Sequence, residues 1–264
     1  MPGFDDLPGD GLQTAETMII AKNVGKTFGA VVAVSDASFS VAEGAVIGLI
    51  GSDGAGKTTL LRIIATMTPP TSGSVTVSGM DVVSQRSSVK AMIGYMPQRF
   101  GLYPDLSVNE NLDFFMDIYG ITEAERIRRR EKYLGFSNLT PFVHRKAGDL
   151  SGGMKQKLGL ACVLIHEPRI LILDEPTNGV DPVSRQEFWE ILTEMKTAGM
   201  TLLVSTAYLD EGERCDRLLV LHEARIIADA PPVEIRSGFS SLEEAMVHRI
   251  QSADPRLKEE RFVL

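Results

Sequence analysis

Three kinds of hydrophobic spacing follow one another along the 264-residue chain. MIIAKNVGKTF from Met18, AVSDASFSV from Ala33 and SGSVTVSG from Ser72 are short, partly alternating apolar and polar stretches separated by Gly and Ser. A period of two is that of half-buried strands, so these segments predict a small antiparallel layer. AVIGLIG, RILILDE and MTLLVST are continuous apolar runs that end in polar residues or Gly. Such runs predict strands buried on both faces of a parallel sheet, with ligand chemistry at their carboxyl ends.

From Gly101 to about His166 the spacing turns helical. Leu112, Phe115, Met116 and Tyr119 keep one face buried, and Ser107 with Glu110 predicts a capping box at the start. Thr122 with Glu125 predicts the same for the next helix, and Ser240 with Glu243 for the last. Asp181 precedes Pro182 at a first helical position, and Phe188, Ile191, Leu192 and Met195 repeat the stripe before Gly199 closes that helix. Residues 1–16, rich in Gly, Pro and Asp, read as a flexible extension, and the chain after residue 250 as a loosely held tail. The ordered unit expected is 17–250, with a helical subdomain at about 101–166.

Composition narrows the class. With 44% apolar residues the chain can bury a substantial interior. The net charge of −8 argues against a nucleic-acid surface. RIRRREK, Arg126 to Lys132, is interrupted by an acid and reads as a solvated helix face. Cys162 and Cys215 have no metal-ligand spacing, and a reduced, cytosolic setting fits them. No apolar run approaches the ~18–20 residues of a bilayer span, so any membrane role is borrowed from a partner.

GSDGAGKTT, Gly51 to Thr59, follows the strand AVIGLI and satisfies G-x-x-x-x-G-K-[ST]. Gly51, Gly54 and Gly56 let the backbone curl with its amides inward around anionic oxygens, and Ser52, Ala55 and Thr59 complete the loop. Lys57 would neutralise the β and γ phosphates, and Thr58 would offer its hydroxyl to Mg2+. Asp53 has the wrong charge for phosphate and is expected to face solvent or a partner. Asp174 and Glu175 end the buried run RILILDE. Adjacent carboxylates there fit a cation and a reaction, with Asp174 as Mg2+ ligand and Glu175 as general base.

LSGGMKQ, Leu150 to Gln156, is a second Gly-rich turn entering a helix, and Gln98 stands in YMPQ between the other motifs. Together these segments resemble the ATP-binding-cassette (ABC) family, specifically the nucleotide-binding subunit of a transporter, over about residues 18–250. GVDPVSR, LYPDLSVNENLDFF and SLEEAMV are most similar to its ABC-2 exporter branch. The resemblance implies an α/β fold: a RecA-like P-loop NTPase core with a parallel sheet, an antiparallel β subdomain and an inserted α-helical subdomain. It implies that adenine stacks on Phe28, although Phe28 also reads as a strand core residue, and that Gln98 senses Mg2+ and the lytic water. Ser151, Gly152 and Gly153 match the signature that contacts the γ phosphate of the opposite subunit. Asp181 matches the acid linking the two sites, or is a plain N-cap.

The implied ligands are ATP and Mg2+; the implied partners are a second nucleotide-binding subunit and a transmembrane permease. The permease would dock near Phe100 and Tyr103, unless these only pack the helical lobe. The chain would then sit on the cytoplasmic face of the inner membrane. One position departs from the pattern: after TLLVST the family has a γ-phosphate-binding histidine, and here the residue is Ala207. None of His144, His166, His222 and His248 falls in that turn. The expectation is tight Mg-ATP binding with slow hydrolysis in a homodimer, or a heterodimer in which a partner's histidine completes one site. A weakly hydrolysing regulatory module is the alternative, and a soluble cassette of translation or DNA repair a third reading.

Overall fold

The computed structural model describes residues 16–254. The expected extension before residue 16 and the tail beyond residue 254 lie outside the described residues. The chain order is β1 (Thr17–Phe28), β2 (Val31–Ala42), β3 (Val46–Gly51), α1 (Lys57–Ile64), β4 (Ser72–Val77), β5 (Met80–Asp81), α2 (Arg86–Ala91) and β6 (Ile93–Met96). Then come α3 (Val108–Ile118), α4 (Glu123–Phe136), α5 (Gly152–Leu164), β7 (Ile170–Asp174), α6 (Pro182–Thr197), β8 (Thr201–Thr206) and α7 (Leu209–Gly212). The last elements are β9 (Arg217–His222), β10 (Arg225–Ala230), α8 (Pro232–Arg236) and α9 (Leu242–Ala253).

The two strand patterns form two sheets. The alternating segments build an antiparallel sheet in the order β2-β1-β4-β5. The continuous runs lie in a six-stranded sheet, β10-β9-β3-β8-β7-β6, parallel throughout except for β10 at its edge. Successive side chains of a strand leave opposite faces, so a run buried on both sides feeds two cores. Ile47, Leu49, Ile170, Ile172 and Leu203 face the core shared with α1 and the antiparallel sheet. Val46, Ile50, Leu171, Leu173, Leu202 and Val204 face the core shared with α3, α5, α6 and α9. The expected α/β architecture is thus present, and among the described residues no helix is long and apolar enough to cross a membrane.

Local chemistry explains the helix ends. Ser107 and Glu110 form the expected capping box: the Ser107 hydroxyl accepts from the Glu110 amide at 3.2 Å and the Glu110 carboxylate from the Ser107 amide at 2.7 Å. Two expected caps differ. Thr122 precedes α4 without a side-chain cap bond: the Glu125 amide donates to the Thr122 carbonyl at 2.9 Å instead, and the Glu125 carboxylate, which would close the box, is engaged by Arg128 and Arg129. The last helix is capped one residue later, by the Ser241 hydroxyl accepting from the Glu244 amide at 3.1 Å, while Ser240 bonds the Glu244 carboxylate. That helix also runs past the expected limit near residue 250, to Ala253. The cations of RIRRREK are paired with neighbouring elements, Arg126 and Arg130 with Asp113 of α3 and Arg128, Arg129 and Lys132 with Glu167 in the loop after α5.

Candidate functional site

Register brings the polar strand ends to one level. Asp174 of β7 stands beside Ser205 of β8, and Ile50 of β3 beside Thr206. From Gly51 the chain turns sharply over the sheet into α1. A Cβ on Gly51 would lie 2.2 Å from the Leu221 carbonyl oxygen, and one on Gly56, at φ +105°, 2.3 Å from that of Ala33. Only glycine fits this close passage. The loop then delivers the α1 amides, with their partial positive charge, to the open end of the sheet.

Lys57 is buried, 4% exposed, and its ammonium donates to the carbonyls of Gly51 at 2.7 Å and Ser52 at 3.1 Å. It also stands 3.6 Å from the Glu175 carboxylate. Asp174 is 1% exposed. Its Oδ1 accepts from the Thr58 hydroxyl at 3.0 Å and the Ser205 hydroxyl at 2.8 Å, and its Oδ2 from the Tyr95 hydroxyl at 3.3 Å. Burial raises the Tyr95 phenol above its usual range, which keeps it a neutral donor. A hydroxyl and a carboxylate meeting at the mouth of this Gly-rich loop are hard oxygen donors of the kind Mg2+ takes.

Glu175 sits at φ +49°, a left-handed conformation that costs a non-glycine residue about 1–3 kcal/mol. Its amide is fixed by the Ser205 carbonyl at 3.1 Å and hydroxyl at 3.0 Å. The turn aims its carboxylate between Lys57 and two amide donors, Gln98 at 2.9 Å and Asn178 at 3.1 Å. Asp53 to Thr59, Gln98 and Glu175 line a cavity of about 400 Å3 whose remaining wall is Val31, Val32 and Ala33 of β2. A larger cavity of about 530 Å3 against α9 contains none of these groups, so size alone does not mark the site.

The other expected residues lie around this centre. Phe28 is 52% exposed, which excludes the core reading, and the Lys26 ammonium lies 5.0 Å from its ring centroid. Asp53 is exposed at the cavity rim. Ser151, Gly152 and Gly153 do not line the cavity. Ser151 caps α5, accepting from the Met154 amide at 3.3 Å. The two glycines differ: a Cβ on Gly153 would lie 2.4 Å from Ser184 of α6, whereas one on Gly152 would meet open space. Asp181 caps α6 through the Ser184 amide at 3.0 Å, and that bond lowers its carboxyl below the usual range. Phe100 packs on Phe115 and, with Leu102 and Pro104, lines a groove of about 360 Å3. Tyr103, 43% exposed, stands edge-on to Phe114 at 4.4 Å.

Ala207 is exposed after β8, and the next ring, Tyr208, is covered by the Arg185 guanidinium at 3.7 Å. Below this turn lies a buried carboxylate that sequence reasoning missed. Glu211, 1% exposed, accepts from the hydroxyls of Thr177 at 2.7 Å and Thr206 at 2.6 Å and from Arg185 at 3.0 Å. It ties the loop after Glu175 to the end of β8. Ser205 and Tyr95, which hold Asp174, were also missed. The one available signal was the Ser205 hydroxyl directly after the apolar run LLV.

A family model described as ABC transporter matches residues 34–178. The probable multidrug ABC transporter ATP-binding protein YbhF of Escherichia coli is 48% identical over 76% of this chain and 35% of its own length. The chain therefore spans about a third of that relative. The Nod factor export ATP-binding protein I of Rhizobium etli is 40% identical over 90% of this chain and 75% of its own. Among solved structures, a dimeric ATP-binding cassette in a post-hydrolysis state bound to ADP and Pi superposes with a TM-score of 0.73. It is 25% identical and covers 81% of this chain and 98% of that one.

Proposed function

Because the chain belongs to the ABC transporter family and has the fold of its ATPase cassette, we propose that it drives export through a separate membrane permease by hydrolysing ATP. The observation carrying this reading is the meeting of Lys57, Thr58, Glu175 and Gln98 at one cavity, with Asp174 bonded to Thr58 beside it. The loop amides and Lys57 bind and orient the phosphates. A magnesium ion held by Thr58 and Asp174 would neutralise charge on the β and γ phosphates. Ser205 and Tyr95 keep the Asp174 carboxylate turned toward that ligand position. Glu175 accepts a proton from the attacking water, and Gln98, bonded to the same carboxylate, fixes its direction. The exposed Phe28 offers a ring face to adenine.

Closure of two cassettes is supported by the open space at Gly152, where a second subunit's phosphate can approach the start of α5. The Phe100–Pro104 groove supports docking of a cytoplasmic helix of the permease, with the chain at the cytoplasmic face of the membrane.

Ala207 puts a methyl group where a donor to the γ phosphate would stand. Losing one such donor typically costs about 10²–10³ in rate, roughly 2.7–4 kcal/mol, while Lys57 and the amides retain most of the ground-state attraction. Hydrolysis by the homodimer is therefore slow, or is completed by a partner with its own histidine. Ala207→His should raise steady-state ATPase at least tenfold with little change in ATP affinity, whereas Glu175→Gln should abolish turnover and leave binding. An unchanged rate in Ala207→His would mean that another group fills the position. Ala207 also favours a second reading, a regulatory module that switches its partner by closing on ATP; permease-stimulated ATPase separates the two.

A further inference from the structure

Among the described residues, one cluster of ligating side chains lies outside the cavity above and has no role in its chemistry. The β9–β10 hairpin ends at His222 and restarts at Arg225, with Glu223 and Ala224 at φ +41° and +65° between them. Both central residues of such a two-residue turn must be left-handed, which fixes Glu223 beside His222. Asp254, which ends α9, reaches the same place. One donor atom from each of His222, Glu223 and Asp254 lies within 4.8 Å of the other two.

We infer that His222, Glu223 and Asp254 form a binding site for one divalent transition-metal ion, with Zn2+ as the ion it takes. The His222 imidazole carries the argument. Both of its nitrogens are buried without a hydrogen-bond partner among the described residues, although a neutral ring always has one N–H to place and one lone pair to satisfy. Its Nε2 stands 3.7 Å from the Asp254 carboxylate, too long for a hydrogen bond. Two donors bound to one Zn2+ at about 2.0–2.2 Å and near-tetrahedral angles stand about 3.4 Å apart, so a small inward movement makes both into ligands. An imidazole with two carboxylates suits zinc better than the all-oxygen cations, and water completes the coordination. Asp254 side-chain exposure is 8% and that of His222 12%, so the ion would be largely screened from solvent. It would clip the end of α9 to the hairpin that borders the parallel sheet.

The test is calorimetric titration of the full chain, stripped with a chelator and kept reduced with a phosphine, using ZnCl2 in millimolar MgCl2 so that the phosphate site is held by magnesium. Zinc should bind saturably at one equivalent per chain and raise the melting temperature. His222→Ala and Glu223→Gln should each weaken binding at least about 100-fold, beyond the usual effect of a supporting residue. His144→Ala, at an exposed histidine elsewhere, should leave it unchanged. Glu223 is exposed, so Glu223→Gln keeps the fold, which retained Mg-ATP binding verifies. Absence of saturable uptake, or uptake that survives both variants, overturns the inference and leaves His222 and Asp254 as a plain ion pair.

Discussion

Replacing Glu211 by Ala perturbs the structure sharply outside the Gly51–Thr59 loop. The carboxylate is 1% exposed and receives three bonds, from Thr177, Thr206 and the Arg185 guanidinium. Its loss leaves the Thr177 and Thr206 hydroxyl protons without their acceptor, although Thr206 still accepts from the Tyr208 amide, and removes one of the two acids that neutralise Arg185. Breaking a buried pair by removing one partner costs about 3–5 kcal/mol. Arg185 keeps two bonds to Asp210, at 2.8 and 3.0 Å, and its side chain is 16% exposed, so the lower end, about 3 kcal/mol, is expected. For a domain of this size that corresponds to a melting temperature about 6–12 °C lower. Urea unfolding of Glu211→Ala, Arg185→Met and the double variant measures it, and the double variant should be clearly less destabilised than the sum. Glu213→Ala removes a nearby half-exposed pair with Arg236 and should cost under about 1 kcal/mol. If Glu211→Ala cost no more than Glu213→Ala, the network would not hold the two loops.

Gly153→Ala forces a Cβ against Ser184 at 2.4 Å and should cost about 1–3 kcal/mol in urea unfolding, whereas Gly152→Ala, facing open space, should leave stability unchanged and lower only the ATPase rate. His166 is partly buried, stacked on Tyr119 at 4.1 Å, and burial lowers its pKa below the usual 6.5. The unfolded chain therefore takes up that proton first, so the stability His166 contributes is present above about pH 6.5 and lost as pH falls through the lower folded value. His166→Gln should flatten the fall in urea midpoint between about pH 7 and 5 that the unsubstituted protein shows.

Much of this architecture was legible because burial acts on sequence through period. RILILD is unbroken apolar from Ile170 to Leu173 and TLLVST from Leu202 to Val204 because both sheet faces are covered, and SGSVTV alternates because its sheet has one covered face. The loop GSDGAGKTT was legible for a different reason: the close passages at Gly51 and Gly56 admit no Cβ, so spacing and geometry are the same constraint. The supporting residues were not legible. Glu211 lies in DEGER, a run that reads as solvated surface, and becomes a buried anchor only because α6 brings Arg185 across to it. Tyr95 meets Asp174 only through the pairing of β6 with β7, seventy-nine positions apart. Caps misplaced by one residue at Ser240, or unmade at Thr122, reflect competition among neighbouring side-chain and backbone acceptors that a local pattern does not resolve.

The central claim is that Lys57, Thr58, Asp174 and Glu175 surround one magnesium-bound triphosphate. Calorimetric titration of the purified chain with Mg-ATP tests it most directly. Saturable binding of one nucleotide per chain, abolished by Lys57→Ala and retained in Glu175→Gln, is the predicted result. No heat of binding from the folded protein, or binding indifferent to Lys57→Ala, would contradict it.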